Sequence, residues 1–249
     1  MEKMNVSGNN YVINNKRKFS KNLILKDQLE KALDFAFNMV YGVGYHRPSR
    51  TGGKAIRSKA EKFCNTFQGK LAEIILHDFF QSANVDVKEL DLDIYGAGEW
   101  DDGDLIANGK RINIKSAASF SNLLLLEKDD WDLEGRYLPD LVNAKETTFD
   151  FFVLVRVEPD VKHILSMSYH FNGNPNVSKS EFEGLLFNEK WYYDFGGFID
   201  NACFKKIMTL QYIIPQGAYL NGRIKMDTSN YYIQAGDMTN IDTLINKLM

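Results

Sequence analysis

Long apolar runs are missing from this chain. No hydrophobic stretch approaches the ~20 residues that a membrane-spanning helix requires. The N-terminus opens Met-Glu-Lys and stays polar, without the apolar segment of a secretory signal. Cysteine is scarce. Cys64 and Cys203 lie far apart and form no CxxC pattern, so neither a disulfide framework nor a Cys/His zinc site is indicated. These absences predict a soluble, cytoplasmic protein in a reducing compartment. There is no large excess of one charge: the formal net charge is −3, so charge alone does not announce a nucleic-acid binder. Familiar catalytic signatures are also missing. There is no G-x-S-x-G and no H-E-x-x-H. Thr51-Gly-Gly-Lys54 falls short of a phosphate loop, because Pro48 stands where Gly is needed and Ala55 where Ser or Thr is needed. His46, His77, His163 and His170 are scattered and read as structural or surface residues. Asp91 and Asp93, two apart on an expected strand, are a generic pair. No repeat, low-complexity tract or clear linker interrupts the chain.

What is present is enough for one large domain with elaborations: 249 residues, 44% of them hydrophobic. Charge is unevenly spread. Lys16 to Lys26 carries five basic residues and no acid. Arg47 to Lys62 carries six against Glu61 alone, and Asp86 to Asp104 carries eight acids against Lys88. Such runs suit solvated surface, and they also suit a cation-holding part beside two anion-facing ones. Residues 1 to about 25 are polar and in part flexible by composition. Leu29 to Val40 has helical apolar recurrence. Residues 42–53, rich in Gly, form a loop. A long helix is expected from near Ser58 to Gln81, with Phe63, Phe67, Leu71, Ile74 and Ile75 on one face. Gly69 within it costs ~1 kcal/mol relative to Ala, which suggests close approach of another backbone. Val85 to Tyr95 reads as a strand. Residues 117–148 should hold a short crossover helix. Phe149 to Val157 reads as a buried central strand. Short β-like pieces follow at Ile164–Phe171, Gln211–Ile214 and Tyr231–Gln234, with a strongly aromatic stretch at Trp191–Phe198. The expected architecture is α/β: a mixed central sheet flanked by helices, with a β-rich C-terminal elaboration. Residues 1–57 form an N-terminal helical and basic region, 58–157 the core, and 158–249 a β-rich part of the same domain.

Residues 102–116 carry the most information. Asn108-Gly109 is a strong two-residue hairpin signal, because both central positions need positive φ. Counting outward pairs Ala107 with Lys110, Asp104 with Asn113 and Asp102 with Lys115. Alternation then gathers Asp102, Asp104, Asn113 and Lys115 on one face and sends Leu105, Ile112 and Ile114 to the other. An ordinary exposed sheet could show the same face, with a cross-strand Asp102–Lys115 ion pair and an Asp104–Asn113 hydrogen bond. It equally suits a hard cation held beside an ammonium.

The order of elements extends this reading. Gln68-Gly69-Lys-Leu-Ala-Glu73 lies on a helix. Then come a strand, Asp104, Ile-Asn113-Ile-Lys115-Ser116, and the Phe-Phe-Val-Leu-Val strand. Together they resemble the PD-(D/E)XK nuclease superfamily, the fold of many type II restriction endonucleases. The resemblance spans about residues 58–157 and rests on the order of elements more than on letters. It implies a restriction-endonuclease-like core with Asp104 as the leading carboxylate, Lys115 as the catalytic lysine, and Glu73 as the helix carboxylate. Asn113 departs from the family, which usually has Asp or Glu there, although some restriction enzymes carry Asn or Gln. An amide oxygen can ligate Mg²⁺ without adding negative charge, so Asp102 or Glu73 would supply the missing charge. A Lys70–Glu73 surface pair is the alternative reading of Glu73.

The resemblance implies a Mg²⁺-dependent endonuclease on double-stranded DNA, with Mn²⁺ able to substitute. Asp104, Asn113, the Ile114 carbonyl, Asp102 and Glu73 are its candidate metal ligands. Hydrolysis of a phosphodiester needs such a cation to offset phosphate charge and acidify water. Lys115 would position the water or stabilise the phosphate. Ser116 and the basic loop residues Arg47, Arg50, Lys54 and Arg57 are candidate DNA contacts. A homodimer cutting a palindrome and a cognate DNA methyltransferase in the same system are further expectations. Two rivals remain. One is a structure-specific repair, phage or mobile-element endonuclease of the same fold. The other is a non-catalytic DNA-binding protein in which Asn113 marks a lost site.

Overall fold

The computed structural model describes residues 1–42, 44, 58–94, 105–141, 147–167 and 177–249. The chain opens with β1 (Asn5–Ser7), β2 (Asn10–Val12) and β3 (Asn22–Leu23), so its polar first 25 residues contribute three short strands. Helix α1 (Lys26–Tyr41) buries Leu29, Ala32, Leu33 and Ala36. Helix α2 (Lys59–Ser82) follows. Its start is set by a reciprocal cap: Ser58 Oγ accepts from the Glu61 N–H at 3.1 Å, and Glu61 accepts from the Ser58 N–H at 2.9 Å. The stretch 85–94 makes a single bridge, Val87 to Ala107, in place of the expected strand.

Strands β4 (Leu105–Ala107) and β5 (Lys110–Ala118) form the hairpin in the counted register, Ala107 opposite Lys110 and Leu105 opposite Ile112. Asn108 and Gly109 have φ of 49° and 75°, as this turn demands. After β5 come β6 (Leu123–Glu127) and the short helix α3 (Leu138–Leu141). The crossover thus holds the short helix expected in 117–148, preceded by a strand that was not expected. Strand β7 (Phe151–Glu158) is buried over nearly its whole length. Residues 161–166 form helix α4 (Val161–Ser166), which takes in the start of the β-like piece expected at 164–171; the rest of that piece, from 168, lies outside the described residues. Asp160 caps it by accepting from the Lys162 N–H, and Val161 and Leu165 are buried one helical turn apart. Helix α5 (Lys179–Leu186), strand β8 (Tyr192–Asp200) and helix α6 (Asn201–Thr209) follow. The chain ends with β9 (Ile213–Ile214), β10 (Tyr219–Leu220), β11 (Ile224–Lys225), β12 (Asn230–Gln234) and α7 (Asp242–Leu248). The C-terminal third therefore mixes helices with short strands rather than being mainly β.

The result is a mixed α/β protein. Its central sheet has the order β3-β8-β7-β5-β4. β5 and β7 are parallel; every other pair is antiparallel. Strand β8, which read only as an aromatic stretch, pairs along the whole of β7 and so belongs to this sheet. A bulge at Gly196 bends it. A Cβ there would lie 2.6 Å from Leu154 Cδ2, so any larger residue would force the Leu154 side chain to shift. Alternate residues of β7 feed two cores. Phe151, Val153, Val155 and Val157 pack with α1 and α2. Phe152 and Leu154 pack with α6 and a second sheet, β6-β12-β9. A third sheet, β1-β2-β10-β11, joins the two chain ends.

Candidate functional site

Strand β5 lies between β4 and β7, and its side chains divide as the apolar pattern requires. Ile112 enters the core under α2, and Ile114 packs against it. Asn113 and Lys115 alternate to the opposite face, level with Phe152 and Leu154 of β7. Ser116 falls back on the Ile112 face, one residue from Lys115 but turned away from it.

The Asn113 amide oxygen is buried and has no hydrogen-bond partner among the described residues. A buried acceptor left unmade costs about 1–3 kcal/mol. That cost makes this oxygen a natural place for a ligand or cation. Main-chain groups point the same way. The Arg111 carbonyl accepts from the Asp150 N–H at 2.9 Å, and its N–H donates to Asp150 Oδ2 at 3.0 Å, both on the β7 side. Alternation turns the N–H and C=O of Ile112 and Ile114 to the β4 side. β4 is described from Leu105, opposite Ile112, so what faces the Ile114 carbonyl lies outside the described residues. The hairpin itself is held from behind, where Asn108 Nδ2 donates to the Leu248 carbonyl of α7.

Glu73 stands on α2, half-buried, with the Lys70 ammonium 2.6 Å away. Lys70 was expected at the surface and is instead 4% exposed. It donates to the Asp91 carbonyl at 3.0 Å and sits 4.3 Å above the Phe35 ring. Residues 86–88 run along the outer edge of β4, the Lys88 N–H donating to the Ile106 carbonyl at 2.9 Å. Lys70 and Glu73 therefore join α2 to the stretch that flanks the hairpin. One helical turn on, His77 is also buried, its Nδ1 3.2 Å from Asp78 Oδ1.

Asp102 and Asp104, and the basic residues Arg47, Arg50, Lys54 and Arg57, lie outside the described residues. Among the described residues no group of three or more His, Cys, Asp or Glu side chains could hold a metal. Asn113, the Ile114 carbonyl and Glu73 are the candidate ligands for which the structure gives a setting. Both cysteines are free thiols.

One feature escaped the sequence reading. Arg156, in the apolar run of β7, is fully buried and forms a two-pronged pair with Asp194 of β8, at 2.8 and 2.5 Å. Its remaining N–H groups donate to the carbonyls of Arg17, Lys18 and Ser121. Asp194 also accepts from the Ser20 N–H at 2.8 Å. An arginine inside a buried strand signals a buried partner. Its contact with residues 17–20 is non-local and leaves no trace in periodicity. Ala117 of β5 is level with Arg156, on the same face as Lys115.

No family model, no curated protein and no solved structure matches the chain. Among the described residues, no helix is long and apolar enough to cross a membrane.

Proposed function

We propose that this chain is a metal-dependent endonuclease of double-stranded DNA, built on a restriction-endonuclease-like core. The observation that carries the reading is the unpartnered, buried amide oxygen of Asn113, on the same strand face as Lys115. Its setting supports it: a long helix, a hairpin in the counted register, and a parallel strand reached by a crossover. The Asn113 oxygen and the Ile114 carbonyl are hard donors of the kind Mg²⁺ or Mn²⁺ takes. Asp104 and Asp102, by resemblance, would add the charge that Asn113 lacks, whereas Glu73 rises from α2, which packs on the Ile112 face of β5. When bound, the cation offsets phosphate charge and lowers the pKa of water. Lys115 then orients the attacking water or stabilises the charge that builds on the phosphate oxygens. Arg47, Arg50, Lys54 and Arg57 are its proposed DNA contacts, while Ser116, on the Ile112 face, is turned away from them. A two-fold dimer would set two such faces on a palindrome, with a cognate methyltransferase protecting host sites.

Digestion of a mapped plasmid with Mg²⁺ tests this. Discrete fragments are expected, and Lys115→Ala and Asp104→Ala should each abolish them with an unchanged thermal midpoint. Undiminished cleavage by Lys115→Ala would remove the site assignment. Cutting only at branches, nicks or mismatches would indicate a structure-specific enzyme of the same fold. A second reading, a non-catalytic DNA-binding protein, is favoured by Asn113 itself standing where a carboxylate is usual. Calorimetry showing neither Mg²⁺ nor Mn²⁺ binding would decide for it.

A further inference from the structure

The basic segment at residues 16–21 has no part in the site described above, yet the structure brings it there. Arg156 holds the carbonyls of Arg17 and Lys18, and the Asn122 side chain accepts from the Arg17 N–H at 2.8 Å. The same amide donates to the Phe120 carbonyl at 3.4 Å. One buried guanidinium and one amide thus clamp the basic segment against the β5–β6 turn. Arg156 is level with Ala117, two residues beyond Lys115 on the same face, so the clamp lies about 7 Å along β5 from Lys115.

The side chains displayed from this clamp are of one kind. Lys16 and Lys18 are exposed, and among the described residues neither has a carboxylate partner. Phe120, at the turn, is 71% exposed. The nearby carboxylates are already matched: Asp194 by Arg156, and Glu158 by Lys21 at 2.7 Å. Exposed cations without a described carboxylate partner, on a segment tied through Asn122 to the turn that carries an exposed ring, suit a polyanion that also offers flat apolar edges. Phosphates and sugar or base edges of nucleic acid supply both.

We propose that Lys16, Lys18 and Phe120 form a DNA contact surface beside the Lys115 face, the lysines on backbone phosphates and Phe120 on a sugar or base edge a few base pairs from the cut. This rests on the nuclease reading and extends it to a second basic segment.

The test is anisotropy with a labelled duplex and the intact protein, in EDTA so that nothing is cut, across a salt series. The Lys16→Gln/Lys18→Gln protein should lower the slope of log affinity against log salt by about 2. Phe120→Ala should weaken binding about tenfold at unchanged slope. All three side chains are exposed, so thermal midpoints should match wild type. If wild type binds duplex and both variants keep its affinity and slope, the surface is not a DNA contact, while the nuclease reading stands. If wild type binds no duplex at any salt, the nucleic-acid reading fails and the surface with it. If the variants keep duplex binding but lose binding to polyglutamate, the surface serves an acidic protein, and the proposal is overturned.

Discussion

Arg156 shows how one residue can organise distant parts of this chain. A guanidinium buried between two cores is tolerable only with a full set of acceptors, and it has them: Asp194, three backbone carbonyls and the Asn122 amide. Such a pair is weak evidence of net stability, but breaking it strands a buried charge. Arg156→Leu should therefore destabilise the protein by roughly 3–5 kcal/mol, measured by urea denaturation. Residues 14–24 should then become sensitive to limited proteolysis. An Arg156→Leu/Asp194→Leu protein should recover part of the loss, since no lone charge remains. Asn113 is the opposite case, a buried polar atom without a partner among the described residues. Its face was legible from the Asn-Gly turn by counting alone. Its lack of a partner was not, because that depends on what packs around it.

At the scale of elements, α2 was legible almost to the residue, because cap and apolar stripe are both local. The explanation offered for Gly69 does not hold among the described residues: a Cβ there would meet nothing within 4 Å. Gly69→Ala should then raise stability by about 1 kcal/mol, seen as a higher thermal midpoint. Loss of the proposed DNA cleavage by that variant, despite the gain, would mean that a ligand approaches the helix there. Helix α6 is capped by Asp200, which accepts from the Cys203 N–H at 3.0 Å and pairs with Lys247 at 3.1 Å. The Cys203 N–H first, against opposing burial, and then Lys247 hold this carboxyl below the ordinary carboxylate value. A depressed folded-state value contributes stability above the unfolded pKa of about 3.9, and that stability is lost as pH falls through the folded value. Asp200→Ala should cost about 1 kcal/mol at neutral pH. The gap from wild type should close as the solution is acidified below about pH 4, in denaturation midpoints taken across that range.

For the whole molecule, the two thiols report on global and local opening. Burial pushes the Cys64 thiol up to about 12, and the site is 1% exposed. Cys203 is half-buried near the N-terminus, its sulfur 3.5 Å from that of Met1. A thiol reagent should label Cys203 first and reach Cys64 only through unfolding, so that Cys64 labelling tracks the urea transition. Prompt Cys64 labelling in native buffer would mean that the α2 core opens locally. The same divide between local and global separates what was readable from what was not. By itself the sequence determined the β4–β5 turn and register, the span of α2, and the buried character of β7. Each follows from backbone preference, capping or side-chain alternation within a few neighbouring residues. Only the tertiary structure decided that β8 belongs to the central sheet, that Val161–Ser166 is helical, and that Lys70 is buried. It also decided that residues 16–20 are clamped beside Lys115 through Arg156. These depend on contacts between residues far apart in the chain, whose gain is realised only when two cores close on opposite faces of one sheet.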